Sequence, residues 1–192
     1  MNEPNRIVSS EAEELILVDA ADNETGFLSK AACHDGDGVL HRAFSLFLFN
    51  DEGELLLQRR SDAKRLWPGY WSNSICSHPR RGETMAVATQ RRLLDELNIE
   101  AEIEFVYKFN YQANYGAAGS ENELCHVYLG KAPSNVRPNE SEISAIRFIA
   151  PADLDREFAE SPDSLTPWFR LEWQALSTVH RDKLVEYTGA VA

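Results

Sequence analysis

The stretch ETMAVATQRRLLDEL, residues 83–97, decides how the rest of the chain is read. It contains neither Gly nor Pro, opens acidic, and spaces Ala86, Leu93, Leu94 and Leu97 close to a helical repeat, so it predicts a helix closed by Asn98. Upstream, residues 43–49 and 55–58 flank the turn Asp51-Glu52-Gly53 and predict a β-hairpin of mainly apolar, central strands. Residues 14–18 predict a first strand, followed by a turn at residues 22–26. Downstream, residues 103–115 and 123–129 predict two more strands, joined by the small-residue loop 116–120, with residues 112–120 a candidate lid. After the connector 133–139, residues 143–149 predict a strand, and Pro167 opens one long helix through Val185. Strands interrupted by a central helix, with another helix at the end, predict an α/β (α+β) fold with a mixed sheet between helices. The 192 residues suit one domain, with residues 1–13 expected to be a flexible N-terminal segment.

Composition removes several classes of function. With 43% apolar and 26% charged residues the chain is ordinary for a globular protein. No apolar run approaches the ~20 residues of a membrane span, and the first residues are not signal-like, so a cytoplasmic protein is expected. Three cysteines with no C-x-x-C pair do not make a disulfide framework. A net charge of −12 argues against nucleic acid and anionic lipid as partners. Within that acidic chain, however, residues 59–92 carry eight Arg or Lys against two acids, a local cationic island suited to a small anionic ligand. A monomer, or at most a dimer, is expected.

His34, His41 and His78 fall in the first half, and Glu121 and Glu123 form an acidic pair later. On a straight helix His34 and His41 would sit roughly 10 Å apart along the axis, whereas ligands of one ion must each lie about 2 Å from it. The intervening Asp35-Gly36-Asp37-Gly38 favours a turn that brings both rings together. His78 precedes Pro79, which favours an extended backbone, so Cys76 and His78 share a side, as do Glu121 and Glu123. Three imidazoles and up to two carboxylates suit Zn²⁺, Mn²⁺ or Mg²⁺ without choosing among them.

Those residues recur in one ordered pattern: KAACH (30–34), HRAFS (41–45), Arg59-Arg60, Lys64, WPG (67–69), WSNSICSHP (71–79) and Glu121-Asn122-Glu123. The pattern, running from about Leu15 to Trp168, resembles the type I isopentenyl diphosphate isomerases of the Nudix fold superfamily. The superfamily box G-x5-E-x7-R-E-U-x-E-E-x-G-U falls on Ser77, Glu83, Arg91, Arg92, Leu93, Asp95, Glu96, Asn98 and Ile99. Arg92 stands where a pyrophosphatase has a metal-binding glutamate, so the framework is kept while hydrolytic chemistry is not expected. A Nudix hydrolase acting on nucleoside diphosphate compounds, or a Nudix domain that only binds, is the competing reading.

The resemblance implies a Nudix-like α/β/α sandwich serving as a single catalytic domain that interconverts isopentenyl and dimethylallyl diphosphate. It implies proton transfer by Cys76 and Glu123 from opposite faces of the substrate, with Tyr111 assisting beside the carboxylate and Trp168 facing the carbocation. Lys30, Arg60, Lys64 and Arg92 match diphosphate contacts. His34, His41, His78, Glu121 and Glu123 match the ligands of one divalent ion, and Glu96 a ligand of a Mg²⁺ carried with the diphosphate. Cys33 and Cys125 are read as buried structural thiols, Trp67 and Trp71 as core or pocket wall.

Overall fold

The strand His41–Phe49 alternates its side chains between two apolar layers, and the rest of the molecule is arranged around it. A computed structural model describes residues 6–189. In chain order these form β1 (Glu14–Val18), β2 (Glu24–Ser29), the single-turn α1 (Lys30–Cys33), β3 (His41–Phe49), β4 (Leu55–Arg60), β5 (Trp71–Ser72), β6 (Ile75–Ser77), α2 (Met85–Arg92), β7 (Ile103–Asn114), β8 (Ser120–Lys131), β9 (Ile143–Ile149), α3 (Pro151–Glu160), α4 (Pro167–Thr178) and α5 (Arg181–Thr188).

The sheet is mixed. β3 lies parallel to β8, with His41 opposite Glu123, and antiparallel to β6, with Ser45 opposite Cys76. A parallel neighbour needs a long crossover, and the connection from β3 to β8 contains α2. Side chains of a strand alternate between faces. Phe44, Leu46 and Leu48 accordingly pack with Leu93 and Leu97 on one face. Phe47 and Phe49, with Val127 and Leu129 of β8, pack against Trp168, Phe169 and Leu176 of α4 on the other. Each fully buried Leu or Phe in these rows contributes about 1.5–3 kcal/mol. Helices thus cover both faces of the sheet, as the order of elements predicted.

Several boundaries differ from the sequence reading. The central helix starts at Met85, where Thr84 Oγ1 accepts from Val87 N, because Glu83 is engaged outside it by Arg91 and by the Arg80 N–H. Its last turn, Leu93–Leu97, is π-helical and ends at Asn98 with φ 54°, the left-handed cap expected there. The C-terminal helix is two helices: the N–H groups of Val179 and His180 both bond Ala175 O, which ends α4 before α5 begins. No Gly or Pro marks that break. β2 begins inside the turn read at 22–26, the rest of it and α1 occupy residues left unassigned, β8 begins at Ser120 rather than at 123, and α3 occupies another unassigned stretch. The loop at 116–118 is a single 3-10 turn tied down by Arg65, which donates to Ala118 O at 2.8 Å. At Gly119, φ +129°, any Cβ would meet His34 O at 2.1 Å, so only glycine lets this loop close on the histidine. No helix of the described residues is long and apolar enough to cross a membrane.

Candidate active site

The row of β3 that faces α4 reads His41, Ala43, Ser45, Phe47, Phe49, polar at one end and apolar at the other. β8 repeats the gradient with Glu121, Glu123, Cys125, Val127 and Leu129. The polar ends meet at one edge of the core, and there a cavity of about 490 Å³ opens, a size typical of small-molecule sites. All site residues singled out from the sequence line it except His41 and Glu96, which lie buried behind it.

The turn at Asp35–Gly38 forms as expected, with Gly36 and Gly38 at φ 57° and 76°. It brings the His34 and His41 ring centroids to 5.0 Å, and His78 lies 4.8 Å from His41. One ligand atom each from His34, His41, His78, Glu121 and Glu123 lies within 4.8 Å of every other. His34 Nδ1 contacts Lys30 O at 2.6 Å and His41 Nδ1 contacts Val39 O at 2.7 Å. Each Nδ1 carries a proton toward its carbonyl, so Nε2 is the atom left to face the cluster, bearing a lone pair when the ring is neutral. There His41 Nε2 and Glu121 Oε2 are buried without a hydrogen-bond partner, although His34 Nε2 is 2.9 Å from Glu121 Oε2. Lone pairs facing each other at that distance require a proton or a cation between them. Burial opposes charge on His34, but the Glu121 carboxylate outweighs it and lifts the imidazole to about 9. Burial and the two other histidines push His78 well below its usual value. The donor set and its orphaned lone pairs fit one divalent ion.

Beside the cluster, Glu123 is held at both oxygens. Tyr111 donates its hydroxyl to Oε2 at 2.5 Å, and His78 Nε2 meets Oε1 at 2.8 Å. Burial raises the Glu123 carboxyl, yet His41 and Tyr111 keep it below the ordinary glutamate value. On the other flank of β3, the Cys76 sulfur accepts the Trp168 indole N–H at 2.9 Å and contacts Asn73 Oδ1 at 2.7 Å. Burial and then the charge of Glu172 push the Cys76 thiol well up, against the pull of Ser45, Ser72 and Arg60. Cys33 and Cys125 are buried, as read.

Of the cationic island, Arg60, Lys64, Arg65 and Arg92 line the cavity, whereas Arg59, Arg80, Arg81 and Arg91 pair with acids outside it. Arg60 lies 5.3 Å over the Trp168 ring and donates to Leu66 O at 2.8 Å. Arg92 donates to Glu96 Oε1 at 2.6 Å and to Glu142 Oε2 at 3.2 Å, and Lys64 pairs with the same Glu142 oxygen. Lys30 bonds Ser9 Oγ at 2.7 Å, and Ile7, Ser9 and Glu11 of the N-terminal segment line the cavity. Of the segment 1–13, expected to be flexible, residues 1–5 lie outside the described residues, and within the rest Arg92 donates to Val8 O at 3.1 Å.

Three functional neighbours carried no assigned role in the sequence. Glu142 lies 78 residues from its partner Lys64, with no motif joining them. Glu172 sits in a stretch that offered no functional signal. Ser45 did leave one, as a hydroxyl in the apolar run 43–49 at the parity of His41.

Comparison with known proteins bears on the family and the fold. The family model described as NUDIX domain matches residues 39–169. The isopentenyl-diphosphate Delta-isomerase 1 of Photorhabdus laumondii subsp. laumondii is 42% identical over 174 residues, covering 90% of this chain and 99% of that protein. The isopentenyl-diphosphate Delta-isomerase of Paenarthrobacter aurescens is 40% identical, covering 85% of this chain and 90% of its own length. Among solved structures, DR0079 from Deinococcus radiodurans superposes with TM-score 0.64 at 25% identity, covering 78% of this chain and 90% of that one. The MutT protein from Methanosarcina mazei Go1 gives 0.61 at 17% identity, covering 74% and 96%, a likeness of fold. A Nudix match over most of the sequence, joined to relatives this similar over nearly their full length, decides the family: the chain belongs to the isopentenyl-diphosphate Delta-isomerases, built on the Nudix fold.

Proposed function

We propose that this protein interconverts isopentenyl and dimethylallyl diphosphate, with Cys76 and Glu123 exchanging protons with opposite faces of the substrate. The observation that carries the reading is the placement of these two groups. They sit on β6 and β8, the strands flanking β3 on either side, and both reach the same cavity. A proton added to the terminal alkene carbon gives a tertiary carbocation at carbon 3, and loss of a proton from carbon 2 leaves the internal double bond. One group gives the proton and the other receives one, and the reverse reaction exchanges their roles, so both directions use the same pair.

Each group is held for this work. Tyr111 and His78 orient the Glu123 carboxylate, and Trp168 and Asn73 hold the sulfur of Cys76. The carbocation needs walls that attract positive charge and exclude water, which would trap it as an alcohol. Trp168, only 2% exposed, supplies an indole face there, worth about 0.5–2 kcal/mol to a cation. The Arg60 guanidinium already over that ring marks it as a surface that accepts positive charge.

Five carbons offer little apolar area, so the diphosphate dominates affinity. Lys30, Arg60, Lys64 and Arg92 would receive it through charge-assisted hydrogen bonds, taking the place of Glu142 on Lys64. A divalent ion bound by His34, His41, His78, Glu121 and Glu123 would fix the Glu123 carboxylate and lower its proton affinity. Mg²⁺ carried by the diphosphate, with Glu96 as its carboxylate ligand, would neutralise phosphate charge. Arg92 at the box position of a catalytic glutamate, buried and paired with Glu96, favours isomerisation over hydrolysis. A free prenyl diphosphate in the cytoplasm, rather than nucleic acid or a membrane, is the substrate this charge distribution suits.

The test is incubation of the purified protein with isopentenyl diphosphate and Mg²⁺ in deuterated water. Deuterated dimethylallyl diphosphate is expected. Recovery of unlabelled starting material alone would overturn the assignment.

A further inference from the structure

Trp67 holds its backbone at φ 46°, and Pro68 follows it. Among the described residues only Asp22 and Asn98 share a positive φ without being glycine, and both are of the types that tolerate it. For a bulky side chain before a proline the same conformation costs free energy. Such a cost persists only where the surroundings over-determine it, and it gathers at functional sites. Trp67 does not itself line the cavity. It is buried beside it, in the apolar cluster that contains Trp168.

The backbone of this turn grips Arg60. The guanidinium donates through Nε to Trp67 O at 3.1 Å and through Nη2 to Leu66 O at 2.8 Å, so two successive carbonyls hold one side of it. The ring of Trp67 does something else. It packs perpendicular to Trp168 with centroids 5.2 Å apart, and its second aromatic neighbour is Tyr115 at 5.0 Å. Perpendicular aromatic pairs have a preferred geometry, with a worth beyond the area they bury. The Trp168 indole is thus fixed by three contacts: its N–H on the Cys76 sulfur, the Trp67 ring, and the Arg60 guanidinium 5.3 Å from its centroid. Trp67 supplies one of the three directly and a second through the carbonyl that holds Arg60.

We propose that Trp67 is a positioning residue for the reaction: its backbone turns carbonyls onto Arg60 and its ring braces the Trp168 indole, so one residue sets both the group that meets the diphosphate and the group that faces the carbocation. The two duties separate chemically. The carbonyls belong to the backbone and survive a change of side chain, whereas the brace needs an aromatic ring. The kinetic consequence rests on the isomerase reading, and the brace itself does not.

The test compares the full-length, metal-loaded protein with Trp67→Leu and Trp67→Phe. Both substitutes are apolar and carry a Cβ, so they keep the turn, but only phenylalanine keeps a ring against Trp168. Trp67→Leu is expected to lower kcat about two- to tenfold, the worth of one aromatic pair, with KM and the Kd for inorganic pyrophosphate with Mg²⁺ unchanged. Trp67→Phe is expected to recover most of that loss. The Trp168 indole ¹⁵N–¹H signal, assigned by its disappearance in Trp168→Phe, is expected to shift in the leucine variant and to stay near its place in the phenylalanine variant. If Trp67→Leu does not fold, Trp67→Met, whose flexible chain fills the space without a ring, takes its place. An indole signal unmoved by loss of the ring, or a loss confined to KM and pyrophosphate affinity with kcat intact, would overturn the proposal. Failure of the isomerase reading would show separately, as absence of deuterium in product from the unsubstituted protein with the indole shift intact.

Discussion

The indole N–H of Trp168 points at the sulfur of Cys76 from 2.9 Å, although the two residues are 92 positions apart in the chain. The contact exists because α4 packs on the same face of the sheet from which Cys76 projects, one strand from Ser45. It gives one tryptophan two duties in the proposed reaction, orienting the thiol through its edge and facing the cation with its ring.

Trp168→Phe keeps an aromatic ring and removes the donor. About a tenfold fall in kcat is expected, the worth of one neutral hydrogen bond, with a smaller loss of stability than truncation to alanine causes. Trp168→Ala is expected to lose about 3–5 kcal/mol of stability as well, because it empties a fully packed position. Denaturation curves beside steady-state kinetics separate the two, and equal kinetic losses without any stability loss in the alanine variant would contradict this packing.

Tyr111 bonds one Glu123 oxygen while His78 takes the other. A hydrogen bond to a charged group contributes about 1.5–3 kcal/mol, so Tyr111→Phe is expected to lower kcat by about 10–100-fold. The diphosphate does not touch this hydroxyl in the proposed complex, so KM should hold. A change confined to KM would place Tyr111 in binding instead.

The orphaned lone pairs of His41 and Glu121 make the cluster a source of stability only when a cation fills it. A divalent ion at one hundred times its Kd is expected to stabilise the fold by about 2.7 kcal/mol. Thermal melts with and without chelator measure this, and His41→Ala should lose most of the shift. An identical melt for chelated and metal-supplemented protein would remove the metal from the account.

Glu172 makes a pH-dependent contribution to stability. Its folded-state pKa, about 8, stands above the 4.5 of an unperturbed glutamate, with burial the main cause. Between those values the unfolded chain releases a proton that the folded protein retains, so stability falls as pH rises through that window. Glu172→Gln removes the dependence. Its stability relative to the unsubstituted protein is expected to improve on the order of 2–3 kcal/mol between about pH 4 and about pH 7. Urea unfolding at both values checks this, and parallel pH dependences for the two proteins would contradict it.

Much of the site was legible because its chemistry is local in sequence. His34 and His41 flank a glycine turn, Cys76 and His78 share an extended segment, and Glu121 and Glu123 share a strand face, so each pair could be placed before the fold was known. The central helix was legible from its repeat, but not the π-helical turn at Leu93–Leu97. The break between α4 and α5 was hidden because no Gly or Pro marks it. Glu142 and Glu172 were invisible for a different reason. Each matters through partners on other elements, Lys64 and Arg92 for the first, Ser45 and Cys125 for the second, and no spacing along the chain encodes those meetings.

The central claim is that Cys76 and Glu123 exchange protons with opposite faces of one bound hydrocarbon. It is tested most directly by following deuterium from solvent into each carbon of the substrate and product with Cys76→Ala and Glu123→Gln. Each variant is expected to stay folded, retain affinity for the diphosphate, and lose turnover by at least about a thousandfold, in the range by which paired acid–base groups contribute. Near-normal labelling and turnover in either variant would take that residue out of the reaction and contradict the account.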